Sequence, residues 1–73
     1  MTRKQERLWN VRRLAADVLG DNWNQSFDSV VATCTQVFGR ISFHESDKIK
    51  QIWKLARVTK HEFDPNKAVR PEL

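Results

Sequence analysis

Three cations in the stretch "KIKQIWKLARVTK" are spaced so that they can act together. Lys50, Lys54 and Arg57 follow an i, i+4, i+7 pattern. At about 100° per helical residue they fall within roughly 60° of one another, beside an apolar stripe rather than within it. Cationic heads lined along one helix edge match a row of phosphates or a row of carboxylates on a protein. The competing assignment is a solvated face whose long stems cover the margin of a core.

A second cluster is Trp9 with Arg12 and Arg13. Trp9 lies about 100° from Leu8 and off the centre of the apolar stripe, near Ala16 and the two arginines. It either packs under Trp23 or the C-terminal segment, or it stays open to a partner. Trp and Arg dominate protein–protein hot spots because they join large contact area to hydrogen bonding. The same pair can stack on single-stranded bases. Of the other tryptophans, Trp53 lies on an apolar stripe and reads as core. Trp23 reads as a loop residue folded over the bundle, or as an anchor.

Other chemistry is missing from the chain. His44, His61 and the single Cys34 have no metal-ligand spacing. Cys34 sits among apolar residues as a small hydrophobe. Gly20 and Gly39 are the only glycines, each placed as a helix stop, so no phosphate-cradling loop exists. Asp17, Asp21 and Asp28 form no carboxylate pair. The expectation is a non-enzyme without metal or cofactor. A helix-turn-helix DNA reader is a poor match. Counting from Gly39 as the turn glycine, the positions that should be apolar are Glu45 and Lys48, and Thr35 stands where a small residue is usual. Base-edge readers on the outer side of the third helix reduce to Gln51 and Arg57.

The elements that must position these residues are helices. Thr2 with Gln5 forms a capping-box pattern before Leu8, Val11, Ala15 and Val18, a stripe widened by Leu14 and Leu19. Gly20 closes this helix in the left-handed conformation. Ser26 is an N-cap for Phe27, Val30, Val31, Cys34 and Phe38. Val, Thr and Cys in "SVVATCTQVF" also favour a strand. Helical spacing accounts for five apolar positions, whereas strict alternation would bury Gln36, so helix is preferred. Ser42 with Glu45 repeats the capping-box pattern before Ile49, Ile52, Trp53 and Ala56. Beyond residue 60, two prolines and scattered charge predict a loose segment.

The predicted fold is therefore all-α: a small three-helix bundle over residues 1–60 with a loose, flexible tail over 61–73. The 73 residues allow one domain with a small core. Net charge is +4, distributed unevenly. Residues 1–20 and 40–59 each carry five basic and two acidic groups, residues 21–39 carry only two acidic ones, and residues 60–73 balance at three and three. A basic balance favours a polyanion or an acidic protein surface. No apolar run approaches the length of a membrane span, and the charged start "MTRKQER" has no apolar stretch of a secretion signal behind it. A lone cysteine suits a reducing cytoplasm. The sequence leaves the oligomeric state open and favours a monomer.

The chain as a whole, with its charged start "MTRKQERLW", basic helices and lack of catalytic or base-reading motifs, resembles the very short regulators that lytic phages make against host RNA polymerase. That resemblance implies a compact helical protein in the host cytoplasm with RNA polymerase, or another transcription protein, as partner. It implies a mechanism of occlusion or displacement: inhibiting initiation through the sigma factor, suppressing termination, or both. It maps no binding residue. The residues themselves nominate Trp9, Arg12, Arg13, Lys50, Lys54 and Arg57 as the partner-binding set. The alternative is a DNA- or RNA-binding helical module using the same cations on phosphates.

Overall fold

The computed structural model describes residues 2–69. It is all-α, with α1 over Arg3–Asp21, α2 over Phe27–Phe38, α3 over Phe43–Thr59, a 3-10 turn over Lys60–Glu62 and a short α4 over Pro65–Ala68. No strand occurs among the described residues. The starts are set by side chains. Thr2 and Gln5 close a full capping box on α1, and Ser42 and Glu45 close another on α3. The Ser26 hydroxyl accepts from the Ser29 N–H at the start of α2. These contacts satisfy backbone donors that have no partner inside the helix.

The β-formers of α2 are accommodated without breaking it. Thr33 and Thr35 donate their hydroxyls back to the carbonyls of Ser29 and Val31, a local bond that helical threonines can make. Val30 and Cys34 are fully buried. The apolar stripe therefore decides the element, and intrinsic preference yields to packing. Gly39 ends α2 at φ +76°, where a Cβ would be strained.

α1 packs against each of α2, α3 and α4. Its buried side chains are Val11, Ala15, Ala16 and Leu19. They meet Val30 and Cys34 of α2, Ile49, Ile52 and Ala56 of α3, and Val69. The loop between α1 and α2 is tied by Gln25. Its amide donates to the carbonyls of Val18 and Asn22, and its side-chain oxygen accepts from Ser29.

Gly20 does not stop α1. The helix continues to Asp21 and is capped at Asn22. The glycine serves close approach instead: a Cβ built there would lie 2.6 Å from Cγ of Pro65. This contact belongs to the segment expected to be loose. Through residue 69 that segment has a defined place. Pro65 seats on Gly20, Asn66 accepts from Arg13, Trp23 meets His61 edge to face at 5.6 Å, and Val69 is buried. Asp64 caps α4 by accepting from the Asn66 N–H, so the Asp-Pro pair that argues against a long helix starts a short one. Residues 70–73, the remainder of the expected tail, lie outside the described residues. The reversal that brings α4 back to α1 is made at Lys60, at φ +54°.

At the other end of α1, Arg7 joins three elements. Its Nε donates to Glu45 Oε2 at 2.6 Å. Its two terminal nitrogens donate to the carbonyls of Phe38 and Arg40 at 3.1 and 3.0 Å. The guanidinium also lies 5.9 Å from the Phe38 ring centroid. One arginine thus holds the end of α2 and the start of α3 against α1.

Candidate partner-binding face

α3 exposes one side along its whole length. Ile49, Ile52 and Ala56 are buried, and the opposite side carries Phe43, Asp47, Gln51, Lys54 and Val58, all exposed. Lys50 and Arg57 flank that side. Two of the three cations of the stripe are held by aromatic rings. The Lys50 ammonium lies 5.6 Å from the Phe27 ring centroid, and the Arg57 guanidinium lies 5.1 Å from that of Trp53. The rings meet edge to face, 6.0 Å apart at 68°. Trp53 is fixed in turn, because its Nε1–H donates to the Gln25 carbonyl at 3.0 Å.

The order along this edge is cation, ring, ring, cation, with α2 supplying the first ring. Such contacts restrict long side chains while leaving the charge on the surface. Lys50, Lys54 and Arg57 have no acidic partner among the described residues. They are placed together, as their spacing predicts.

Trp9, Arg12 and Arg13 are served by a different side of the molecule. Trp9 is half-buried and packs against the core. On the helical wheel it shares its side of α1 with Arg13 and Gly20, and α4 sits on that side. Arg13 is engaged with Asn66 at 3.0 Å. Arg12 is half-buried as well. The packed alternative therefore describes Trp9 better than an open tryptophan surface does. Trp23 is half-buried over the bundle against His61, and Trp53 is half-buried at the core edge.

Of the four large apolar side chains left in water among the described residues, Val37 lies on α2 at 61% and three lie on α3; sequence reasoning gave Phe43 and Val58 no role. Phe43 is 90% exposed, Val58 79% and Leu55 43%. A wheel drawn for the third helix contains the signal, since Phe43 and Val58 fall about 120–180° from the buried stripe. Sequence reasoning also missed the Arg7–Glu45 pair, whose members stand 38 positions apart. Burial pushes the Glu45 carboxyl up, but the Arg7 guanidinium and the Ser42 hydrogen bonds outweigh it and leave the pKa below the ordinary value. Burial raises the Cys34 thiol from 9.0 to about 11.

Between the first turns of α1 and α3 lies a cleft of about 540 Å³, lined by Lys4, Gln5, Arg7, Leu8, Ser42, His44 and Glu45. Its most buried polar groups, Arg7 and Glu45, are already paired with each other. Among the described residues no group of three or more His, Cys, Asp or Glu could hold a metal ion, and no helix is long and apolar enough to cross a membrane. No family model, curated protein or solved structure matches this chain.

Proposed function

We propose that this protein is a small regulator that works by docking on another protein through the outer face of α3. RNA polymerase of a phage host is the first partner to test, on the resemblance stated above. The observation that carries the reading is the mixture on that face. Lys50, Lys54 and Arg57, without an acidic partner among the described residues, stand beside exposed Phe43, Leu55 and Val58. A phosphate backbone would use the cations and leave the apolar side chains in water. An acidic protein surface with an apolar centre uses both, and burying apolar surface gives about 25 cal/mol per Å². Binding there would occlude a site on the polymerase or displace one of its factors, without chemistry in the small protein itself.

The test is capture of purified RNA polymerase on the immobilised chain. Lys54→Glu with Val58→Asp changes two exposed side chains and should keep the circular dichroism of the native helices. We expect capture to weaken at least about tenfold, the range of a contact at the centre of an interface. Capture equal to wild type, or none by wild type, rejects polymerase docking through α3. The nucleic-acid reading predicts instead a mobility shift with random duplex whose log affinity falls by about 0.9 per phosphate contacted for each unit of log salt.

A further inference from the structure

The outer face of α3 is a convex ridge, and its dimensions restrict what can lie on it. Phe43 and Val58 are fifteen positions apart, so about 22 Å separates the two most exposed apolar side chains at 1.5 Å per residue. Between them stand Asp47, Gln51 and Lys54. Lys54 stands on the ridge, and Lys50 and Arg57 stand on one flank about 10 Å apart along the axis, each resting on a ring.

Resting on the core apolar terms alone, this face is thin: two anchors at the ends and a polar middle. A partner gains from it only by reaching both ends and by answering the charged flank. A loop or strand fits a groove better than a ridge. A helix lies along a ridge naturally, at an axial distance of about 8–10 Å. Crossing angle then decides. About 11 Å from the crossing point, axes in the +20° class have separated by roughly 4 Å, and axes in the −50° class by roughly 8 Å. Only the first keeps Phe43 and Val58 in contact with one partner helix.

Charge chooses the partner. The exposed outer side and one flank of α3 carry Lys50, Lys54 and Arg57 against Asp47, and half-buried Lys48 adds a cation on the other flank. A second copy laid antiparallel would set Lys54 against Asp47 but bring the Lys50 and Arg57 flanks of the two copies together, leaving those cations unanswered. We infer that the occupant is an acidic amphipathic helix of the partner protein, laid nearly parallel to the α3 axis. It carries apolar side chains for Phe43 and Val58 and carboxylates along one edge at i, i+4, i+7 for the three cations. The inference rests on the docking reading above. The ring contacts assist it by restricting Lys50 and Arg57 before binding, so less side-chain freedom is lost on association.

The experiment is selection of a randomised peptide library, about 20 residues per member to match four turns and more, on the immobilised full chain. Selected sequences should show apolar residues at helical spacing and Asp or Glu on one edge. Their affinity should fall at least about tenfold with Lys54→Glu and with Phe43→Ser, both exposed positions, while circular dichroism stays native. Replacing the central carboxylate of a selected peptide by lysine should restore binding to Lys54→Glu. Enrichment of extended or proline-bearing sequences, enrichment indifferent to these substitutions, self-association of the chain through this face, or no enrichment overturns the helical occupant. Polymerase capture is scored separately with the same variants. Capture lost in Lys54→Glu beside extended peptide winners removes the helix and leaves docking standing. Helical winners beside no capture by the wild type remove the polymerase and leave the helix.

Discussion

Glu45 shows how much one residue can hold in a chain this small. It closes the capping box of α3 and receives Arg7 from α1, at only 7% exposure. Removing Arg7 would leave a buried carboxylate with its Ser42 bonds alone. Breaking a buried pair costs about 3–5 kcal/mol. The Arg7 side chain is 41% open to solvent, which puts Arg7→Ala nearer about 2 kcal/mol, measurable as a lower urea midpoint. Glu45 also makes stability acid-sensitive. Its folded pKa lies below the ordinary 4.5, so in acid the unfolded chain binds the extra proton. The contribution is whole above the ordinary value and is lost as pH falls through the folded one. Urea midpoints between pH 6 and pH 2.5 should drop less steeply in Glu45→Gln than in wild type. Cys34 acts at the other limb: with its thiol raised to about 11, stability from the buried neutral thiol is whole below pH 9 and lost as pH climbs toward 11. At pH 8 the native thiol should resist a disulfide reagent and react within the mixing time once urea is added. The capping role of Glu45 was legible from Ser42-x-x-Glu45, which is local. Its ion pair was not, because no periodicity links positions 7 and 45.

At the scale of elements, the three long helices follow from stripes and caps, and the segment after Lys60 does not. Pro, Asp and charge disfavour a long helix there, and they say nothing about docking. Docking depends on Gly20 lacking a side chain, and a helical glycine has the same composition signal as a helix stop. Gly20→Ala should therefore separate the two roles. Alanine favours the helix by about 1 kcal/mol, yet its Cβ would meet the Pro65 ring at 2.6 Å, and the ring is tied to backbone. Limited proteolysis between residues 60 and 69 should accelerate in Gly20→Ala and return to the wild-type rate in Gly20→Ala with Pro65→Ala. Lys60 holds a backbone conformation at φ +54° and ψ −122°, outside the left-handed helical region and rarely adopted by a residue with a Cβ, at a cost of about 1–3 kcal/mol. Lys60→Gly should raise the thermal midpoint, the gain reduced by the greater freedom of glycine in the unfolded chain. The candidate site divides in the same way: the Lys50, Lys54, Arg57 edge is a matter of period and was legible, whereas Trp9 is half-buried against the core on the side of α1 where α4 seats at Gly20 and Arg13, a position no period reveals.

For the whole molecule, the boundary expected at residue 60 is not a boundary of the packing. Val69 is buried against the same cluster as Val11 and Ile49, and Phe63 packs beside it. A chain stopped after Lys60 loses one fully buried valine, worth about 1.5–3 kcal/mol by transfer, and regains some chain entropy. We expect it to be less stable by about 2 kcal/mol and, at about 4–8 °C per kcal/mol for a domain of this size, to melt roughly 10 °C lower by circular dichroism. The helix shared by every neighbour has a further consequence. α4 can lift away and expose only its own amides, but α1 touches α2, α3 and α4, so its midsection has no private route to solvent. Deuterium should enter Val11–Leu19 last, at the rate set by complete unfolding, and any ligand that slows exchange there must be stabilising the molecule entire.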